Sequence, residues 1–415
     1  MRAAGGYVAE NVLSFERALE VVLEHARGAE TERPVEAVGL LDAVGRVLAE
    51  RVLADRDQPP FDRSTRDGFA VRAADAGERL RVVGAVRAGE AWSGKAVGKG
   101  EAVEIMTGAP LPEGADAVAM VEHVAVEAGW VRLVSGRSVS AGENVVPRGA
   151  EARAGVGVLR VGTVIGAAEI AVAASCGCAT LPVFVRPTVA IVATGDELVE
   201  LDVAPDATQI RNSNSYALAA MVRAEGGEAV RFAVARDTRE DVRARIAEGR
   251  KADLLVLSGG VSMGKYDLVE EVLAELGAEF FFTGALIQPG KPVVFGRLPR
   301  EGGWTYFFGL PGNPVSTQVT FALFVAPMLR ALAGREEIAP RFVEARLADD
   351  VKGGARVTRF LPAELAGDWE AVTARVVGWQ GSGDVAANAR GNCYVVLPAG
   401  VEGFKAGETV RVLLR

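Results

Sequence analysis

Residues 188–198 read Thr-Val-Ala-Ile-Val-Ala-Thr-Gly-Asp-Glu-Leu, an apolar run that ends in a polar turn with a glycine. The same order recurs at 254–264, which read Leu-Leu-Val-Leu-Ser-Gly-Gly-Val-Ser-Met-Gly. Short continuous apolar runs are typical of strands that are buried on both faces of a parallel sheet. The two stretches therefore predict an α/β domain in which glycine turns follow buried strands.

Outward from these stretches, apolar runs and helical patterns alternate over about 140 residues from Pro187, which predicts a parallel sheet covered by helices. The predicted strands are 188–193, 229–234, 254–257, 280–282 and 293–295, with 306–308 as a sixth. The predicted helices are 212–226, one beginning at Thr238 with a capping box to Asp241, 268–276 and 315–332.

The rest of the chain predicts a multidomain α/β plus β protein. Ser14 and Gly28 bound an N-terminal helix, and short alternating runs predict β structure before residue 147 and again after Gly334. The predicted domains are a linking domain of two segments (1–52 and 147–180), a β insertion domain (53–146), a central α/β domain (181–333) and a C-terminal β domain (334–415).

Composition excludes several classes of protein. The chain has 415 residues, of which 49% are hydrophobic and 24% charged, and its net charge is −8. A disordered chain has fewer apolar residues, and a general nucleic-acid binder is basic, so we expect neither. The two histidines and three cysteines are too few for a zinc site or a disulfide framework. We therefore expect free thiols and a site built from carboxylates, cations, hydroxyls and amides.

Targeting signals are also weak in the sequence. The apolar stretch 158–174 is interrupted by Arg160 and Glu169, and it is shorter than the roughly 20 residues that cross a bilayer. The first residues lack the apolar block of a secretion signal. We expect a cytoplasmic protein without a membrane partner.

The predicted site lies at the carboxyl edge of the central sheet, where open α/β sheets bind their ligands. Glycines there allow backbone amides to approach an anion, and serines add hydroxyl donors. The candidate phosphate-binding residues of this turn are Ser258, Gly259, Gly260 and Ser262. The alternative is that the glycines only allow a tight turn. A nucleotide-hydrolysing P-loop is excluded because Tyr266 replaces the Ser or Thr that binds magnesium.

Three carboxylates, Glu197, Asp237 and Asp267, are expected at the same edge. Three negative charges beside a phosphate would repel it unless a cation intervened, and Mg²⁺ takes carboxylate and phosphate oxygens together. Each residue alone has a simpler explanation, as a solvated side chain, a turn residue or an acid at a helix N-terminus. Together they predict a magnesium site.

A further turn, Pro311-Gly312-Asn313-Pro314, precedes a long apolar helix. Its amides could meet an anion at the helix N-terminus, although a structural turn explains it equally well. By their chemistry alone, the polar stretches 62–69 and 107–110 are only loops.

Five motifs, taken together and in order, resemble the molybdopterin molybdenumtransferase family, which includes the gephyrin E domain. They are Thr-Arg-Asp-Gly-Phe-Ala-Val at 65–71, Thr-Gly-Ala-Pro-Leu-Pro at 107–112, Thr-Gly-Asp-Glu-Leu at 194–198, Ser-Gly-Gly-Val-Ser at 258–262 and Leu-Pro-Gly-Asn-Pro-Val-Ser at 310–316. The resemblance implies an elongated homodimer whose central domain has the molybdopterin-adenylyltransferase-like fold.

The resemblance also implies a reaction, in which molybdate is inserted into adenylylated molybdopterin with Mg²⁺ and AMP is released. An adenylyltransferase would be the upstream donor of the pterin. The positions that match the family's functional residues are Asp67, Thr107, Glu197, Asp237, Asp267 and Ser382. In such a dimer, Asp67 and Thr107 would reach the cleft of the partner subunit.

The chain departs from the family where many members carry lysines, because it has Gly284 and Gln288 there. Lys291 remains, and Arg356 or Arg359 could take over oxyanion binding. Two other functions stay open, a non-catalytic pterin-binding scaffold and a molybdopterin adenylyltransferase that consumes ATP. The choice between molybdate and tungstate also stays open.

Overall fold

A computed structural model describes residues 11–29, 33–260 and 268–415. Its centre is a six-stranded sheet, here called the central sheet. In spatial order its strands are Glu228–Arg231, Thr188–Ala193, Leu254–Ser258, Gly303–Leu310, Val294–Arg300 and Glu279–Phe282. All six predicted strands are present, and the prediction of the α/β domain is confirmed.

The central sheet is mixed, although the sequence predicted a parallel one. Val294–Arg300 runs antiparallel to both of its neighbours. Apolar runs of equal length do not encode strand direction, and the direction here follows from the short turn that joins this strand to Gly303–Leu310. The start of an antiparallel strand lies at the edge where parallel strands end, so the turn before Val294 still faces the site.

Helices cover both faces of the central sheet. Alternate residues of one strand enter two separate cores, with Val189 and Ile191 in one and Ala190 and Val192 in the other. Phe15–Arg27, Ser213–Ala224 and the segment from Pro314 to Leu332 pack on the first face, and Arg239–Gly249 and Leu268–Glu275 on the second.

The helix ends follow the predicted caps. Ser14 accepts a hydrogen bond from the amide of Arg17, and Thr238 accepts one from the amide of Asp241. The last helix is interrupted, because Pro314–Thr320 and Ala326–Leu332 are joined by a π-turn at Phe321–Val325. The stretch Pro314–Leu332 is long and apolar enough to cross a membrane, but 83% of its apolar window is buried, as in a core helix.

A second six-stranded sheet, the insertion sheet, lies between residues 68 and 133. Its strands are, in spatial order, Ala117–Met120, Gly68–Val71, Glu101–Ile105, Leu80–Val86, Trp130–Leu133 and Val124–Glu127. Three short strand pairs join the segment before the insertion sheet to the segment after it. These pairs are Val35–Gly39 with Thr180–Phe184, Val52–Leu53 with Gly157–Leu159, and Arg63–Ser64 with Val145–Val146.

Helix Ala167–Ser175 shares a small core with the first two of these pairs. Phe15–Arg27 belongs elsewhere, since its buried residues Ala18, Val22 and Ala26 enter the core of the central sheet. The three cysteines are free, as expected.

The C-terminal region forms a small closed sheet. Its strands are Thr358–Gly367, Val372–Val376, Phe342–Leu347, Thr409–Leu414 and Cys393–Leu397, and the last pairs back onto the first. Ile287–Gln288 of the central domain adds a strand at its edge. Three smaller elements complete it, the pair Val351–Lys352 with Gly403–Phe404 and helix Val385–Arg390. This region therefore contacts the central domain directly beside the predicted site.

Candidate active site

The turns at the carboxyl edge of the central sheet surround a cavity of 890 Å³. Its lining includes predicted residues from four turns, which are Glu197, Asp237, Ser258, Gly259, Gly260, Pro311, Gly312 and Asn313. Gly383 and Val385 of the C-terminal region close one side. The structure thus brings together eight of the predicted site residues around one cavity.

Gly259 is required in the turn at 258–260, because the ends of two neighbouring strands approach each other closely there. Gly259 has a φ of +92°, and a Cβ there would lie 2.5 Å from the carbonyl oxygen of Thr194. Its amide donates to the carbonyl oxygen of Leu310 at 3.1 Å. The tight-turn explanation therefore accounts for Gly259, and its amide is not available to a phosphate.

Asn214 connects three parts of the site. Its Nδ2 donates to Ser258 Oγ at 3.1 Å and to the carbonyl oxygen of Gly312 at 2.7 Å. Because Ser258 accepts this bond, its own hydroxyl proton can be donated to a ligand. From the sequence, residues 212–214 were predicted only as a helix start. The signal for a site residue was the polar run directly before an apolar helix.

Two of the carboxylates that line the cavity, Glu197 and Asp237, are the predicted magnesium ligands. Partial burial raises the pKa of Asp237. The negative charges of Asp196 and Glu197 raise it further, whereas a hydrogen bond from the backbone of Asp196 opposes the shift. Glu197 folds over Gly195, whose Cβ would lie 2.6 Å from Glu197 Oε2. No positive charge among the described residues contributes to the pKa of Asp237.

The third predicted ligand, Asp267, lies outside the described residues, as does Ser262. Within 11–29, 33–260 and 268–415, no three His, Cys, Asp or Glu side chains come close enough to hold a metal. Mg²⁺ commonly uses only one or two protein carboxylates, together with water and substrate phosphates. Glu197 and Asp237 fit such a site.

Ser382 lies beside the turn at 311–314. Asn313 Nδ2 donates to Ser382 Oγ at 2.9 Å, and the amide of Val315 donates to the carbonyl oxygen of Ser382 at 2.9 Å. The first free amide of the last helix is therefore already used. This contact fixes the C-terminal region against the cavity.

The predicted oxyanion-binding cations do not line the cavity. Lys291 and Arg356 are exposed, and Arg359 Nη1 donates to the carbonyl oxygen of Lys352 at 3.2 Å. Gly284 is enclosed, since a Cβ there would lie 3.0 Å from Val12 Cγ2, and Gln288 pairs with Arg359 in the edge strand. The oxyanion roles of these residues stay predictions.

Asp67 and Thr107 lie in turns beside the insertion sheet, directly before Gly68–Val71 and shortly after Glu101–Ile105, and outside the cavity lining. The amide and hydroxyl of Thr107 both donate to Asp67 Oδ1, at 2.6 and 2.8 Å. These two bonds lower the pKa of the Asp67 carboxyl. The pair is exposed, so its second carboxylate oxygen is accessible.

Comparisons with known proteins agree with this arrangement. Residues 13–177 match the MoeA N-terminal region (domain I and II), 190–331 a probable molybdopterin binding domain, and 344–414 the MoeA C-terminal region (domain IV). Molybdopterin molybdenumtransferase from Staphylococcus aureus (strain COL) is 35% identical over 93% of this chain and 92% of its own length. The protein of that name from Nostoc sp. is 36% identical over 92% of this chain and 89% of its own.

The chain belongs to the molybdopterin molybdenumtransferase family. Its fold is similar to that of a molybdopterin biosynthesis MoeA protein from Pyrococcus horikoshii, with a TM-score of 0.72, 36% identity, and coverage of 97% of this chain and 99% of that one. A second structure from that organism has a TM-score of 0.78 at 29% identity, over 97% and 100% of the two chains. The resemblance seen in the motifs is confirmed, and the family is one of enzymes of molybdenum cofactor biosynthesis.

Proposed function

We propose that this molybdenumtransferase inserts molybdate into adenylylated molybdopterin in a Mg²⁺-dependent reaction that releases AMP. The observation that carries the proposal is the pairing of Glu197 and Asp237 with the Ser258 turn on one 890 Å³ cavity. Cofactor sites occupy about 300–1,000 Å³, so this cavity has room for a pterin joined to a nucleotide.

Glu197 and Asp237 are the residues that would hold the magnesium. The negative charge of Glu197 contributes to the raised pKa of Asp237, and a bound divalent cation would relieve this repulsion. When bound, Mg²⁺ supplies positive charge to the phosphate oxygens of the pyrophosphate. Its third predicted ligand is Asp267.

The other residues of the cavity bind and orient. Ser258 donates its hydroxyl to a ligand oxygen, held in place by Asn214 Nδ2 at 3.1 Å. Asn313 and Ser382 hold the C-terminal region beside the same cavity. These groups bind substrate in one orientation, which lowers the barrier to pyrophosphate cleavage.

We further propose a cytoplasmic homodimer that receives its pterin from a molybdopterin adenylyltransferase. The exposed carboxylate of Asp67 supports the dimer, because it lies in a turn beside the insertion sheet and outside the cavity lining of its own chain. In the dimer, Asp67 and Thr107 would contact substrate in the partner subunit.

The first test measures AMP release from adenylylated molybdopterin with Mg²⁺, in the presence of molybdate, tungstate or neither oxyanion. We expect release that requires molybdate. Glu197→Gln and Asp237→Asn should each lower the rate by about 100-fold or more, since they remove a ligand of the cation that balances the phosphate charge. Glu248→Gln, which changes an exposed acid on the next helix, should leave it unchanged.

The other outcomes separate the alternatives. Tungstate-dependent release would reassign the metal. Binding of the pterin without release would favour the scaffold, and Mg²⁺-dependent ATP turnover with molybdopterin would favour an adenylyltransferase. Full activity of both carboxylate variants would contradict the magnesium site.

A further inference from the structure

The charges around the cavity are unevenly distributed. Four charged residues among the described part of the chain line it, and they are Glu197, Arg211, Asp237 and Glu271. Three are acids, and Glu271 is paired with Arg239 outside the lining. Arg211 is therefore the one cation that the described residues present to the cavity.

The local fold places Arg211 on the wall formed by the Glu197 turn. Ile210–Arg211 pairs with Leu198–Val199, and the amide of Ile210 donates to the carbonyl oxygen of Glu197 at 2.8 Å. The next residue, Asn212, is buried and caps helix Ser213–Ala224 through the amide of Ser215. Arg211 thus extends from a backbone that is fixed on both sides.

The guanidinium of Arg211 has no ion pair within the described ranges. The residue is exposed and lines the cavity. Glu200, which follows the paired strand Leu198–Val199, is bound by Arg231. A cation without an ion pair is available to a ligand.

We propose that Arg211 binds a tetrahedral oxyanion of the substrates, either a phosphate group or molybdate. The inference rests on the proposed function, which brings several negative charges into a cavity that is itself acidic. Magnesium held by Glu197 and Asp237 would neutralise only part of this charge. The planar fork of arginine donates two parallel hydrogen bonds to such an anion, which a lysine cannot reproduce.

The test measures dissociation constants of AMP, inorganic pyrophosphate and molybdate by calorimetry, with and without Mg²⁺, for wild type, Arg211→Gln and Arg211→Lys. We expect Arg211→Gln to weaken the binding of at least one anion about tenfold in the absence of Mg²⁺, and Arg211→Lys to recover part of the lost affinity. Lower affinity for AMP and pyrophosphate would identify a phosphate site, and lower affinity for molybdate alone would identify a molybdate site.

Arg223→Gln is the matched control, since Arg223 is an exposed arginine on the helix that follows Arg211 and lies outside the cavity lining. It should leave all three constants unchanged, and the melting temperatures of all variants should agree. Wild-type affinities in Arg211→Gln, or a wild type that binds none of the three anions, would overturn the inference. If Arg211→Gln weakens binding but wild type releases no AMP with either oxyanion, the proposed function is wrong and the anion site stands.

Discussion

Gly259 occupies a position that no other residue can fill without strain. Its φ is +92°, and a methyl group there would lie 2.5 Å from the carbonyl oxygen of Thr194. We expect Gly259→Ala to lower the free energy of unfolding by about 2–4 kcal/mol, because a backbone oxygen cannot yield as a side chain can. Gly302→Ala is the control, since Gly302 has a φ of +77° with no atom within 4 Å. It should cost only about 1 kcal/mol, and equal losses in denaturant titrations would show that the clash is absent.

Single residues of the site differ in how far the sequence could predict them. Glu197 and Asp237 lie on the cavity because each follows a strand of the central sheet, a position that apolar runs reveal. Arg211 and Asn214 were missed because they follow no long strand. Their positions depend on the two-residue pair at Ile210–Arg211, which is too short to show a pattern.

At the scale of elements, one carboxylate holds the end of helix Ser213–Ala224 to the last helix. Glu225 accepts hydrogen bonds from Arg330 Nη2 at 2.6 Å and Nε at 2.8 Å, and from Arg335 Nη1 at 3.2 Å. The three side chains are only 12–18% exposed. Burial lowers the pKa of Arg335, although Glu225 opposes the shift.

We expect Glu225→Gln to lower the free energy of unfolding by about 2–3 kcal/mol, because two largely buried guanidinium groups lose their shared counter-charge. The control is Asp349→Asn, which breaks the pair of Asp349 with Arg375, where both side chains are at least 60% exposed. It should change stability by under about 1 kcal/mol. A loss in Glu225→Gln no larger than the control's would show that the network does not connect the two helices.

The helices and strands were largely predictable from the sequence, whereas strand direction and the interruption of the last helix were not. Thr188–Ala193 was predicted with its observed bounds because all of it is apolar or β-branched and its flanks are polar. The antiparallel direction of Val294–Arg300 and the π-turn at Phe321–Val325 were not. Direction depends on connections, and a π-turn depends on packing in the core, so neither leaves a periodic signal.

At the scale of the whole molecule, the family motifs lie in two separate regions of the chain, the cavity and the region of the insertion sheet. The carboxylate Glu197 lines the cavity, whereas Asp67 and Thr107 bond to each other in turns beside the insertion sheet and outside that lining. A homodimer with two-fold symmetry brings each insertion sheet to the other subunit in the same way. Each active site would then combine Asp67 of one chain with Glu197 of the other.

This arrangement predicts complementation between two inactive variants. Asp67→Asn and Glu197→Gln should each lose AMP release alone, but a co-expressed mixture forms mixed dimers in which one site carries both substitutions and the other carries neither. Random pairing makes about half of the dimers mixed, so activity should return to about a quarter of wild type. If Asp67 instead served its own chain, every site in the mixed dimer would contain one substitution, and the mixture would stay inactive. Separately purified variants combined under conditions that prevent subunit exchange should show no recovery, because activity must come from mixed dimers.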